Sequence, residues 1–213
     1  METINLKING IAVTAPKGST ILEAARLAHI EIPTLCFLKE INEIGACRVC
    51  IVELKNGKLV TSCVYPAEDG MEVFTNTPKV MDSRKKTIQL LLSNHNRSCL
   101  SCVRSGHCEL QELAHELGVD DEGYYDGEIT PSEIDTSAAH MIRDNSKCIL
   151  CRRCVAVCSE VQGIGVIGAN NRGFATEIGS AFGMGLGETS CVSCGQCLVN
   201  CPFGAISDKS QIF

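Results

Sequence analysis

A ladder of cysteines that repeats itself constrains this chain more than any other feature. Cys148, Cys151, Cys154 and Cys158 read Cys-x2-Cys-x2-Cys-x3-Cys, and Cys191, Cys194, Cys197 and Cys201 follow the same spacing 43 residues on. Four coincident spacings in one register point to duplication of a metal-binding unit. The chain has 15 cysteines among 213 residues. An odd count argues against a closed disulfide framework. So does a start, Met1-Glu2-Thr3-Ile4-Asn5-Leu6, with neither a basic n-region nor an apolar h-region. Bound metal in a reducing cytoplasm is the expectation. With no Trp, six Phe and three Tyr, the apolar core is thin, and metal–thiolate bonds supply folding energy where burial is scarce.

Three closely spaced thiolates wrap three corners of an iron–sulfur cube, whereas zinc sites more often use two separated Cys-x2-Cys pairs. In two-cluster ferredoxins the fourth cysteine of such a run ligates the other cluster. The expected 4Fe–4S sets are therefore Cys148, Cys151, Cys154 with Cys201, and Cys191, Cys194, Cys197 with Cys158. Pro202 follows Cys201 as that run expects, but Ser159 follows Cys158; the proline shapes a turn and donates no metal bond.

Cys36, Cys47, Cys50 and Cys63 form Cys-x10-Cys-x2-Cys-x12-Cys, close to the plant-type 2Fe–2S arrangement of one loop plus a distant fourth cysteine. Gly45 and Ala46 are small enough for backbone amides to approach cluster sulfurs. A zinc ribbon is the alternative. His95, Cys99, Cys102 and Cys108 complete a fourth set, for a His-ligated 4Fe–4S cluster or a Cys3His zinc site. His107 rivals His95, but as the neighbour of Cys108 it is badly placed to reach the same centre. Fifteen cysteines and one histidine then make four sets of four, for one 2Fe–2S and three 4Fe–4S clusters.

The pattern around these ligands gives an α+β chain. Glu2 to Ile8 and Ile11 to Ala15 flank an Asn9-Gly10 turn, and Val49 to Leu54 and Leu59 to Val64 flank Asn56-Gly57. Thr20-Ile21-Leu22-Glu23 is a capping box opening a helix to about His29. Two hairpins around one helix predict a β-grasp-like domain over residues 1–77. Thr77-Pro78 caps a helix to about Ser93, with Met81, Ile88 and Leu92 on the inward stripe and His95 projecting from the same side. A second helix runs from Cys108 to Leu117, stopped by Gly118, and Asp120 to Asp135 reads as an acidic linker. Residues 78–137 thus form a small helical His/Cys domain, and 138–213 a two-cluster ferredoxin-like domain.

Net charge is −6, without the basic surface that nucleic acid requires. No apolar run of about 18 residues is present to span a membrane. Arg84-Lys85-Lys86 reads as a solvated helix face or a docking patch. Gly163 to Gly168 spells a dinucleotide fingerprint outside any βαβ unit, so it is set aside. Gly183, Gly185 and Gly187 are expected to let backbone pass close to a cluster. Arg152 and Arg153 are either solvated or raise a cluster potential. No catalytic acid–base pair or nucleophile is found.

The order and internal spacing of the four sets resemble the N-terminal accessory region of [FeFe]-hydrogenases and the corresponding region of the large peripheral iron–sulfur subunit of complex I. At full length the chain is similar to the small iron–sulfur subunit of NAD-coupled or electron-bifurcating hydrogenases and formate dehydrogenases. That resemblance implies an electron-transfer subunit between a flavin-containing NAD(P)-binding subunit and a separate catalytic hydrogenase or dehydrogenase subunit. Ferredoxin is a further partner where the assembly bifurcates electrons. The chain ends soon after Cys201, so the hydrogen-activating cysteines are expected on another polypeptide.

Overall fold

The computed structural model describes residues 2–119, 125 and 129–211. Strands β1 (Thr3–Ile8) and β2 (Ile11–Pro16) pair antiparallel with Ile8 opposite Ile11. Asn9 and Gly10 between them both take positive φ, 51° and 81°, as a type I′ turn requires. Alternation turns Ile4, Leu6 and Ile8 inward. Helix α1 (Ile21–Leu27) opens on the expected capping box: Thr20 Oγ1 accepts from the Glu23 amide at 3.2 Å, and Glu23 Oε2 accepts from the Thr20 amide at 2.9 Å. Such a cap stabilises a helix by about 1 kcal/mol. It holds Ile21, Leu22, Ala24 and Ala25 in the core with the strand residues.

β3 (Ile51–Leu54) and β4 (Leu59–Thr61) form the second hairpin. Only Gly57 takes positive φ there, and its amide bonds the Leu54 carbonyl at 2.8 Å. The loop is therefore the longer type with a left-handed glycine, rather than a two-residue turn at Asn56-Gly57. β5 (Glu72–Phe74), which the sequence reading did not include, lies between β1 and β3, parallel to the first and antiparallel to the second. The sheet order is β2-β1-β5-β3-β4.

Helix α2 (Pro78–Ser93) starts as expected, Thr77 Oγ1 accepting from the Val80 amide at 3.2 Å. Its inward stripe differs from the expected one. Ile88 is buried as expected, but Met81 is 38% exposed and Leu92 only half-buried, and Val80 and Arg84 are buried beside Ile88. Arg84 turns inward because Nε donates to the Val49 carbonyl at 3.1 Å and Nη2 to the Ile51 carbonyl at 2.8 Å. Reading Arg84-Lys85-Lys86 as one solvated face is corrected for Arg84. Lys86 is exposed and pairs with Asp82 at 2.8 Å.

Helix α3 (Glu109–Glu116) is capped by Cys108, and Gly118 follows at φ 58°. Of the expected acidic linker, residues 120–124 and 126–128 lie outside the described residues. Beyond it come β6 (Ile134–Asp135), β7 (Met141–Asp144), α4 (Arg153–Ala156), β8 (Gly168–Asn170), β9 (Glu177–Gly179), α5 (Gln196–Asn200) and β10 (Ile206–Asp208). These strands make one three-stranded sheet, β10-β7-β6, and the β8-β9 pair. Three apolar cores result, and the middle one draws on every section. There Cys36 and Cys47 meet Ile88 of α2, Leu110 of α3, and Cys151 and Phe203 from the far end of the sequence. Among the described residues no helix is long and apolar enough to cross a membrane.

Candidate metal centres

Cys36, Cys47, Cys50 and Cys63 are all buried and sort into two pairs. Cys50 and Cys63 sulfurs lie 3.3 Å apart, and the Cys36 and Cys47 thiols share a hydrogen bond. Within each pair one thiol gives up its proton more readily. The bond with Cys36 brings Cys47 down to about 6 against the opposing effect of burial, and the bond with Cys63 brings Cys50 down to about 7. Cys36 and Cys63 are pushed up, first by those same bonds and then by burial. The Ala46 and Cys47 amides point at the Cys36 sulfur, and the Val49 and Leu35 amides at Cys47. The small Gly45-Ala46 pair thus allows the amide approach expected of it.

The two repeats carry their duplication into the backbone. Leu150 and Ser193 are both left-handed, at φ 58° and 53°, and so are Arg152 and Gly195, at 61° and 76°. For a non-glycine residue this conformation costs on the order of 1–2 kcal/mol, so three such residues together signal a geometric demand. What it achieves is direct. The Leu150 amide donates to Cys148 Sγ and the Ser193 amide to Cys191 Sγ, each at 3.4 Å, and α4 and α5 begin at matching positions immediately after. One small cavity is lined by Cys148, Cys151, Cys154 and Cys201, a second by Cys158, Cys191, Cys194 and Cys197. Burial pushes Cys151 and Cys197 up to about 11 and Cys148 to about 12, with neighbouring thiols adding to it. Thiolates at this depth need positive charge beside them.

In the middle set, Cys99 sits in a 3-10 turn and Cys108 caps α3. Burial raises Cys108, while the Gln111 and Leu110 amides work against it and Cys102 and Cys99 add to it. His95 Nδ1 is buried without a hydrogen-bond partner. Burial, then the Lys147 charge, lowers its imidazole to about 4. A metal ligand must be such a neutral ring with a free nitrogen. His107, the rival, is exposed.

Several neighbours differ from expectation. Gly185 and Gly187 face Ser137 rather than a cluster: a Cβ on Gly187 would lie 2.2 Å from the Ser137 carbonyl oxygen. The glycine that does approach a candidate ligand is Gly204, where a Cβ would meet Cys102 Sγ at 2.8 Å. Of the two arginines, Arg152 is exposed, while Arg153 is buried with Nη2 3.4 Å from Glu109 Oε2. Gly163 and Gly165 lie in a loop that leads into the antiparallel β8-β9 pair, which has no βαβ character. Two polar residues tie one set to another. Asn42 Nδ2 donates to the Cys36 carbonyl at 2.7 Å and the Cys151 carbonyl at 3.0 Å, and Arg104 Nη2 donates to the Cys201 carbonyl at 2.9 Å. Neither matches a local motif, so only the fold reveals them.

Three family models match the chain in succession. A 2Fe-2S iron-sulfur cluster binding domain covers residues 1–78, an NADH-ubiquinone oxidoreductase-G iron-sulfur binding region 84–122, and a 4Fe-4S dicluster domain 147–205. The chain is 42% identical over 219 residues to the NADP-reducing hydrogenase subunit HndD of Solidesulfovibrio fructosivorans, covering 100% of this chain and 37% of that one. It is 38% identical over 207 residues to the NADPH-Fe(3+) oxidoreductase subunit alpha of Geobacter sulfurreducens (97% of this chain, 24% of that one). It is 34% identical over 212 residues to the NADH-ubiquinone oxidoreductase 75 kDa subunit of Reclinomonas americana (99% and 30%). The chain therefore spans well under half the length of these relatives. A chain of the NAD+-reducing [NiFe]-hydrogenase in its H2-reduced state superimposes with a TM-score of 0.90 at 31% identity, over 99% of this chain and 89% of that one. Ordered ligand sets, fold and near full-length match agree: the chain belongs to the iron–sulfur protein family that NAD(P)-linked hydrogenases share with complex I.

Proposed function

We propose that the four sets hold one 2Fe–2S cluster (Cys36, Cys47, Cys50, Cys63) and three 4Fe–4S clusters (His95, Cys99, Cys102, Cys108; Cys148, Cys151, Cys154, Cys201; Cys191, Cys194, Cys197, Cys158). On this reading the chain relays electrons between a flavin-bearing NAD(P)-binding subunit and a separate hydrogenase- or dehydrogenase-type catalytic subunit. The observation that carries the reading is how the thiols sort. The first set falls into two pairs, as two irons with two thiolates each would need, and the repeats line two cavities of four cysteines. A single zinc ion with Zn–S bonds of about 2.3 Å would draw its donors into one tight tetrahedron.

Bound clusters supply one-electron transfer, and the chain's residues set its conditions. Amides aimed at Cys36, Cys47, Cys148 and Cys191 stabilise sulfur charge, which favours the reduced state. Burial excludes water from most of the thiols. On this reading substrate chemistry is carried out by partner subunits, in the cytoplasm.

Protein purified without oxygen should contain about 14 iron atoms per chain, matched by sulfide. It should accept electrons from dithionite yet show no NAD(P)H, hydrogen or formate oxidation alone. Stoichiometric zinc with about 10 irons would replace the middle cluster by a zinc site. Robust NAD(P)H turnover by the isolated chain would sink the relay.

A further inference from the structure

Asn42 is 3% exposed, and one atom of it spans two candidate centres. Its Nδ2 donates at once to the carbonyl of Cys36, in the first set, and to that of Cys151, 109 residues along the chain. The backbone fixes this position: the Leu38 amide donates to the Asn42 carbonyl at 3.1 Å and the Asn42 amide to Leu38 at 2.8 Å, closing a small bridge. Both donors of one buried amide nitrogen are spent on ligand-bearing residues.

The chemistry of that atom is selective. Leucine has nearly the same shape but would leave two buried carbonyls unpaired. Aspartate would set a carboxylate against them. The carboxamide adds no net charge near either centre and donates to carbonyls, not to sulfurs, so it is better suited to connecting the two centres than to shifting their potentials. From the Cys36 sulfur the path runs through Cβ, Cα and the carbonyl, across two hydrogen bonds at Nδ2, and back through the Cys151 carbonyl, Cα and Cβ to its sulfur. Every step is a covalent or hydrogen bond. The rival is a jump across apolar contact, since Cys36, Cys47 and Cys151 share one core. Electronic coupling decays faster across such a gap than along bonds.

We infer that the Asn42 carboxamide is the link through which electrons pass between the 2Fe–2S centre and the Cys148 centre. The inference rests on the cluster reading above. One electron leaves the reduced centre and reduces the other; no bond forms or breaks and no proton moves.

The test uses the full chain, loaded without oxygen, as wild type and Asn42→Leu. Iron and sulfide content and both midpoint potentials are measured first, then electron equilibration between the two centres after rapid one-electron photoreduction, followed by their distinct visible and EPR signals. The expected result is full cluster content, unshifted potentials and a several-fold slower equilibration, with Asn42→Gln recovering part of the rate. Should Asn42→Leu fail to hold its clusters, Asn42→Ser, whose hydroxyl can serve one carbonyl, is read the same way. Unchanged equilibration in a fully loaded variant overturns the inference and assigns transfer to the apolar contact. So does a slowing explained entirely by shifted potentials. Wild-type protein that carries no 2Fe–2S or Cys148 cluster fails the underlying reading instead, which the metal content separates.

Discussion

His95 is the only non-cysteine in the proposed ligand sets, and its environment has been prepared for neutrality. A buried ring lowered to about 4, with Nδ1 unpartnered, remains uncharged at neutral pH. Neutral imidazole in place of thiolate leaves a cluster less anionic and raises its potential. His95→Cys should therefore lower the midpoint of the middle cluster while the cluster still assembles, as EPR-monitored titration would record. An unchanged midpoint would remove His95 from the ligands and return attention to exposed His107. His95 stood out in the sequence as a candidate because it follows the helix opened by Thr77-Pro78 and makes sixteen donors with the fifteen cysteines. Asn42 and Gly204 did not, because what makes them distinctive lies on residues far along the chain: the Cys151 carbonyl for one, Cys102 Sγ for the other.

At the scale of elements, α2 shows how a charge can enter a core. Burial lowers the Arg84 guanidinium to about 10, with the Cys50 thiolate opposing that fall, so it stays cationic at neutral pH beside the first set. Arg84→Met removes both donors to the Val49 and Ile51 carbonyls and should cost about 1–3 kcal/mol, read as a lower unfolding temperature under anaerobic conditions. Loss of a nearby positive charge should also lower the 2Fe–2S potential. Equal stability and an unmoved potential would mean that Arg84 merely fills space. The ends of α2 were readable from Thr77, Pro78 and Ser93, but its facing was not: hydrophobic periodicity cannot anticipate an arginine whose partners are strand carbonyls. β5 escaped for another reason. Three residues with one inward side chain, Val73, carry no alternation, and its place is set by pairing with β1 and β3 on both sides.

Across the whole molecule, most of the candidate ligand cysteines lie in or against the apolar cores, with Cys99, Cys102 and Cys194 outside them. The middle core joins Cys36, Cys47 and Cys151, and the C-terminal core joins Cys154, Cys158, Cys197 and Cys201. Chain sections that look separable in sequence are therefore welded where electrons would cross. The crossed repeats carry this furthest. Cys158 follows directly on the Cys148 run, yet it lines the cavity of Cys191, Cys194 and Cys197, while Cys201 lines that of Cys148, Cys151 and Cys154. The cause lies in α4 and α5, which pack against each other. Each short helix carries its own third cysteine, Cys154 on α4 and Cys197 on α5, and the fourth follows just beyond the helix. Cys158→Ala should accordingly remove or damage the Cys191 cluster, lowering iron by up to about 4 atoms, and leave the Cys148 cluster spectroscopically intact. Cys201→Ala should do the reverse, and the pair of variants identifies each signal without prior assignment. With each repeat supplying a ligand to the other, as proposed, both variants should also unfold at lower temperature than wild type. A Cys158→Ala protein that loses the same signal as Cys148→Ala would show that each repeat keeps its own fourth cysteine, and the exchange would be wrong.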